Sequence, residues 1–200
     1  ISPDVDKNIK KHLGTKSDNS KFVPIPNGVN IEAINNASPI EKPEISPVLN
    51  EESNVILQVS SFTPQKSQKT VIEALKFLPD DFFCCFVGDG PTKIECQNLA
   101  KDLELSDRVI FLGIRTDVFQ LLKSVDFIVL SSHFEGLSLA SIEGMASGKP
   151  FIASNVPGLG DIVEGAGLLF ADGNSRELSE IITKLHLDAG FRSHVVQTCQ

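Results

Sequence analysis

The chain has 200 residues, 41% of them hydrophobic, enough to bury the core of one domain together with a fragment of a second. Its 26 acidic and 18 basic side chains give a formal charge of −8, which argues against a nucleic-acid partner and leaves no polybasic patch for an anionic membrane surface. No apolar run approaches the ~20 residues of a membrane span, and no signal-peptide pattern opens the sequence.

Pro3–Leu13 reads as a short helix and Phe22–Pro26 as a strand interrupted by prolines. Residues 27–53, "NGVNIEAINNASPIEKPEISPVLNEES", have the Asn, Ser, Pro and Glu content of a connector rather than of core. The expected organisation is therefore a remnant of another domain over 1–28, a connector over 29–53 and a main domain over 54–200. Met145 is the only methionine and the chain opens on Ile1, so the sequence reads as a piece of a longer protein.

From residue 54 onward, short apolar runs alternate with helical patterns. Strands are predicted at Val55–Ser60, Phe82–Val87, Arg108–Leu112, Asp126–Leu130, Pro150–Ser154 and Gly167–Phe170. Helices are predicted at Gln68–Leu78, Thr92–Leu105, Asp117–Val125 and Ser138–Ser147, with two more after Asn174. Buried runs alternating with helices predict an α/β fold, a doubly wound parallel sheet covered on both faces. Cys84 and Cys85 fall in an apolar run, and neither they nor Cys96 and Cys199 have metal-ligand spacing. They read as reduced core thiols of a cytoplasmic protein.

In such sheets ligands bind beyond the carboxyl ends of the strands, so the candidate residues lie in the turns that follow them. These turns carry Ser61 and Lys66 in "SSFTPQKSQ", Asp89 and Gly90 in "GDGP", Ile114 and Arg115 in "GIRTD", and Glu135 in "SSHFEGLS". Gly136 permits a tight turn or close backbone approach, Ser138 suits the helix N-cap, and the amides of Leu137 to Ala140 offer an anion site at the helix start. Glu143, one turn or so inside that helix, would then lie where a ribose adjoins a bound diphosphate, its carboxylate accepting the two hydroxyls. Glu135, on the other side of the anion site, would face a sugar on the distal phosphate. Each residue also has a plainer reading: a solvated helix acid, a loop acid, a turn lysine, common turn residues. His133 reads as a loop residue, and Asp4 and Asp6, in "PDVDK", follow no strand and are discounted as a metal site.

Taken in order, "VPIPNGVN" (23–30), "VILQVSSFTPQKSQKTVIEAL" (55–75), "FVGDGP" (86–91), residues 108–163 with their Glu135–Glu143 pair and "MASGKPFIAS", and "GLLF" (167–170) resemble the C-terminal, donor-binding domain of GT-B glycosyltransferases of family 4. The resemblance implies a Rossmann-like fold and a retaining transfer of sugar from a nucleotide diphosphate sugar to a hydroxyl acceptor. It also implies polysaccharide or glycan biosynthesis and no metal or other cofactor. Lys66 and Glu135 would be catalytic. Glu143 would hold the ribose, the amides at Leu137, Ser138 and Leu139 the diphosphate, and the backbone at Ile114 and Arg115 the base. Ser61 stands where the family usually has Arg, which shifts leaving-group stabilisation onto Lys66 and the helix start. Residues 1–28 would be the end of an N-terminal acceptor domain otherwise missing from the chain, through which peripheral contact with the inner membrane face stays open. A non-catalytic nucleotide-sugar-binding module is the alternative.

Overall fold

A computed structural model of the chain describes residues 28–136 and 138–199. The helix and strand predicted before residue 28, with Asp4 and Asp6, fall outside the described residues, as does Leu137.

Six strands form one sheet: β1 (Asn54–Val59), β2 (Phe82–Val87), β3 (Val109–Gly113), β4 (Phe127–Leu130), β5 (Phe151–Asn155) and β6 (Leu168–Ala171). All neighbours pair in parallel, in the order β3-β2-β1-β4-β5-β6. Each lies within one residue of its predicted bounds. The reason is burial on both faces: Val55, Ile56 and Leu57 of β1, Cys84 and Cys85 of β2 and Phe127 to Leu130 of β4 are all inside, so the apolar runs are unbroken. Cys84 and Cys85 are free thiols, and burial pushes Cys85 up to about 12.

Two short helices, α1 (Ile31–Asn36) and α2 (Lys42–Ile45), precede the sheet. The expectation that the connector stays out of the core needs correcting, because Ile34 is fully buried and Ile45 and Leu49 join the main apolar cluster. The polar residues between them cap and turn the chain: Asn30 Oδ1 accepts the amide of Ala33 at 2.9 Å at the start of α1.

The remaining helices are α3 (Gln68–Ala74), α4 (Lys93–Asp102), α5 (Val118–Ser124), α6 (Leu139–Ala146), α7 (Gly160–Val163), α8 (Ser175–Leu187) and α9 (Ala189–Cys199). The predicted Gln68–Leu78 helix tightens into a 3-10 turn at Leu75–Phe77, and Leu78 is extended, as a residue before proline prefers. No described helix is long and apolar enough to cross a membrane.

α4 stops short of its predicted end at Leu105. Glu104 takes the left-handed conformation, φ 59°, while Leu105 N bonds Ala100 O and Glu104 N bonds Lys101 O. This is a Schellman stop with glutamate in the position glycine usually holds, so the sequence carries no signal for it. Relieving the left-handed cost, ~1–2 kcal/mol, outweighs the added chain entropy of glycine, so Glu104→Gly should stabilise the fold by about 0.5 kcal/mol in denaturant titration.

Candidate functional site

The strand order reverses between β1 and β4. The loops that leave those strands flank the position where an open α/β sheet offers its ligand crevice. Backbone bonds hold the two loops together, Ser67 N to Ser131 O at 3.0 Å and His133 N to Gln65 O at 2.9 Å. Beneath them runs a buried polar seam. Gln58 Nε2 donates to Ser60 Oγ at 3.1 Å, and Ser131 Oγ lies 2.9 Å from Gln58 Oε1.

At the top of the seam Lys66 Nζ is ion-paired with Glu135 Oε1. The side chains are only 14% and 6% exposed, so the pair is largely shielded from water. Ser132 Oγ donates to the same carboxylate oxygen at 2.6 Å. Gln65 Nε2 donates to Phe134 O at 2.7 Å and reaches Glu135 Oε2 at 3.4 Å. The sequence placed Lys66 and Glu135 in one site but on separate duties; the fold joins them directly. The Glu135 backbone is fixed as well, its amide donating to Pro157 O at 3.2 Å.

Beside this pair begins α6. Ser138 takes the N-cap position, yet its hydroxyl makes no cap bond, which leaves the first-turn amides without a side-chain acceptor. Gly144 lets the helix approach the sheet: a Cβ there would meet Phe151 Cδ2 at 2.6 Å. That approach leaves only a small void beside Glu143, lined by Ala140, the strand ends Val59 and Leu130 and the core residues Leu122, Ile128 and Phe151. Glu143 makes no ion pair among the described residues, and burial raises its pKa above the ordinary 4.5. Its carboxylate is half-buried and keeps contact with water.

The other predicted residues are spread around the rim. Asp89 is exposed and salt-bridged to Lys93 at 3.0 Å, and that hydrogen bond lowers its pKa. Gly88 and Gly90 have a backbone reason, since Cβ atoms there would meet Ser60 O at 2.1 Å and Phe62 O at 2.3 Å. Ser61 is exposed, with its carbonyl accepting from Gln68 Nε2 at 2.9 Å. Ile114 is 80% exposed, and Arg115 Nε bonds Asp117 Oδ1 at 2.8 Å. Gly136 is half-buried and Leu139 exposed. His133 pairs with Asp172 at 2.8 Å and faces away from Glu135 in its bonding.

A cavity of about 420 Å³ shares Lys66 with the crevice but none of Glu135, Ser138 or Glu143. Among the described residues no three metal-ligating side chains converge. Sequence reasoning missed Ser132, Gln65 and Gln58. Only Gln58, a polar residue in the apolar run "VILQV", gives a signal there.

The chain matches the family described as glycosyl transferases group 1 over residues 40–198. An uncharacterized glycosyltransferase of Methanocaldococcus jannaschii is 34% identical over 185 residues, 90% of this chain and 48% of the relative. The UDP-Gal:alpha-D-GlcNAc-diphosphoundecaprenol alpha-1,3-galactosyltransferase of Escherichia coli is 35% identical over 70% of this chain and 38% of its own length. Among solved structures, Anabaena HepE in complex with UDP superposes with a TM-score of 0.76 at 28% identity, over 87% of this chain and 50% of HepE. The chain thus spans about half, or less, of the length of these relatives. With its parallel six-stranded sheet and the fold of the GT-B enzymes, the chain belongs to the glycosyl transferases group 1 family.

Proposed function

We propose that the chain is the C-terminal, donor-binding part of a retaining family 4 glycosyltransferase. It would act without metal, in the cytoplasm, on a nucleotide diphosphate sugar and a hydroxyl acceptor, in polysaccharide or lipid-linked glycan assembly. The observation that carries this reading is the Lys66–Glu135 pair at the carboxyl ends of β1 and β4, on the loop that leads into α6.

Each group then has a task its position allows. The first-turn amides of α6 and the Lys66 ammonium stabilise charge on a departing diphosphate. Glu143 accepts from ribose hydroxyls, which would replace water at its half-buried carboxylate. Glu135 faces the sugar next to the distal phosphate. Uridine is the base to test first, since HepE was solved with UDP and with UDP-glucose and the Escherichia coli relative is named for UDP-Gal.

Calorimetry tests the ribose assignment. Glu143→Ala should weaken UDP binding by about 1.5–3 kcal/mol, the scale of a hydrogen bond to a charged group, and leave inorganic diphosphate binding unchanged. The same residue should trade stability for binding. Because burial raises its pKa in the fold, Glu143 favours folding below the ordinary 4.5, and that contribution is lost as pH rises through the raised value. Glu143→Gln should accordingly raise Tm at neutral pH, with the gain vanishing in acid. A variant that binds UDP as well as the parent would remove the ribose role.

A non-catalytic nucleotide-sugar module is the second reading, favoured by Ser61, exposed and uncharged where the family usually carries Arg. Transfer by the full-length protein decides between them. The chain alone, without an acceptor domain, should bind donor and show no transfer; measurable transfer by these residues would overturn the division of labour.

A further inference from the structure

The amino end of the sheet, opposite the crevice, gathers charge that the sequence scatters. Asp126 stands just ahead of β4. Its Oδ2 accepts the Val55 amide at 2.9 Å and faces Lys42 Nζ at 3.1 Å. Its Oδ1 faces Arg192 at 3.7 Å, and Arg192 also donates to the Asp126 carbonyl at 3.2 Å. Ile128 pairs with Phe151 across β4 and β5, so Lys149, two residues before Phe151, comes level with Asp126. Lys123 lies in the last turn of α5, just upstream.

Lys42 and Arg192 thus pair with one carboxylate while Lys149 and Lys123 lie near it, four half-buried cations and an excess of three positive charges in a chain whose formal charge is −8. The carboxylate is already committed to Val55, Lys42 and Arg192, and neither Lys123 nor Lys149 has an ion-pair partner among the described residues. Burial lowers the Lys149 pKa; Asp126 opposes this, and Arg192, Lys42 and Lys123 reinforce it. Partly buried charge of one sign, beyond what the fold neutralises, calls for an anion.

We propose that this cluster is a binding site for a phosphate-class anion, separate from the nucleotide crevice. Lys123 and Lys149 supply the uncommitted charges, and Arg192 adds a planar fork suited to phosphate oxygens. At ~3.3 Å per residue, the four residues of β4 set this end about 13 Å from the crevice, so one diphosphate does not span both. The anion is either free phosphate or the phosphodiester of a lipid headgroup. The linear sequence gives no sign of this cluster, because the fold assembles it from four distant segments.

The test uses this chain with inorganic phosphate, titrated by thermal unfolding against chloride at matched ionic strength. Lys149→Gln should weaken the phosphate response about tenfold, the loss of one charge-assisted contact, while UDP affinity stays at the parent value. Should that variant fail to fold, Lys123→Gln serves the same comparison. Co-sedimentation with phosphatidylglycerol and phosphatidylcholine vesicles separates the sources. Binding to the anionic vesicles that is lost in the variant identifies a headgroup, and a phosphate response without vesicle binding identifies the free ion. A parent response no larger than that to chloride, or variants that respond like the parent, would overturn the site.

Discussion

Lys66→Ala should cost more than any other single side-chain truncation in the crevice, in two separable ways. The first is stability. Glu135, only 6% exposed, would keep its contacts to Ser132 and Gln65 but lose its one ion-pair partner among the described residues, and breaking a buried pair by removing one partner costs about 3–5 kcal/mol. The second is recognition of the diphosphate. With Ser61 uncharged, Lys66 is the cation on the β1 loop within the crevice, so UDP should lose far more affinity than uridine. The two effects come apart in the double variant Lys66→Met/Glu135→Gln. Removing both charges leaves none stranded, so most of the stability returns while diphosphate affinity stays low. Denaturant titration and calorimetry on the same set of proteins check both halves. Equal losses for UDP and uridine would show that Lys66 serves only to hold Glu135.

The pair also marks where sequence reading reaches its limit. Both residues are identifiable from their turns, because a doubly wound sheet sends functional loops to the carboxyl ends of its strands. Their contact is not, since 69 positions separate them and only the placement of β4 beside β1 brings them together. The strands were legible because burial on both faces writes itself as unbroken apolar runs. The stop of α4 was hidden by a glutamate in a left-handed position, and the buried Ile34, Ile45 and Leu49 by the polar residues that cap and turn the chain around them. Ser132 looks like any loop serine until its hydroxyl is seen 2.6 Å from Glu135. Such roles are set by neighbours in space, which local pattern does not encode.

Gly158→Ala should carry the largest backbone effect, and it acts on the site from outside the β1 and β4 loops. Gly158 has φ +80°, a conformation L side chains rarely adopt, and a Cβ built there would stand 1.9 Å from the carbonyl oxygen of Glu135. That oxygen belongs to backbone, so no rotamer change relieves the overlap. Either the turn after β5 or the Glu135 loop must move, and the Glu135 amide bond to Pro157 O, at 3.2 Å, ties the two together. Overpacking of this kind costs about 1–3 kcal/mol, and the left-handed conformation adds ~1 kcal/mol or more. Strain that moves Glu135 also moves the carboxylate that holds Lys66, and a shift of about 1 Å in a positioning group is worth ~100-fold in rate. If the proposed function holds, the full-length protein bearing Gly158→Ala should therefore lose kcat well beyond what its fraction unfolded explains. The comparison variant is Gly173→Ala, at φ +71° with no atom within 4 Å of its Cβ. It bears a similar backbone strain without the collision and should lose stability alone. If both variants lower kcat equally, Gly158 does not position Glu135, and the geometry of the crevice is set elsewhere.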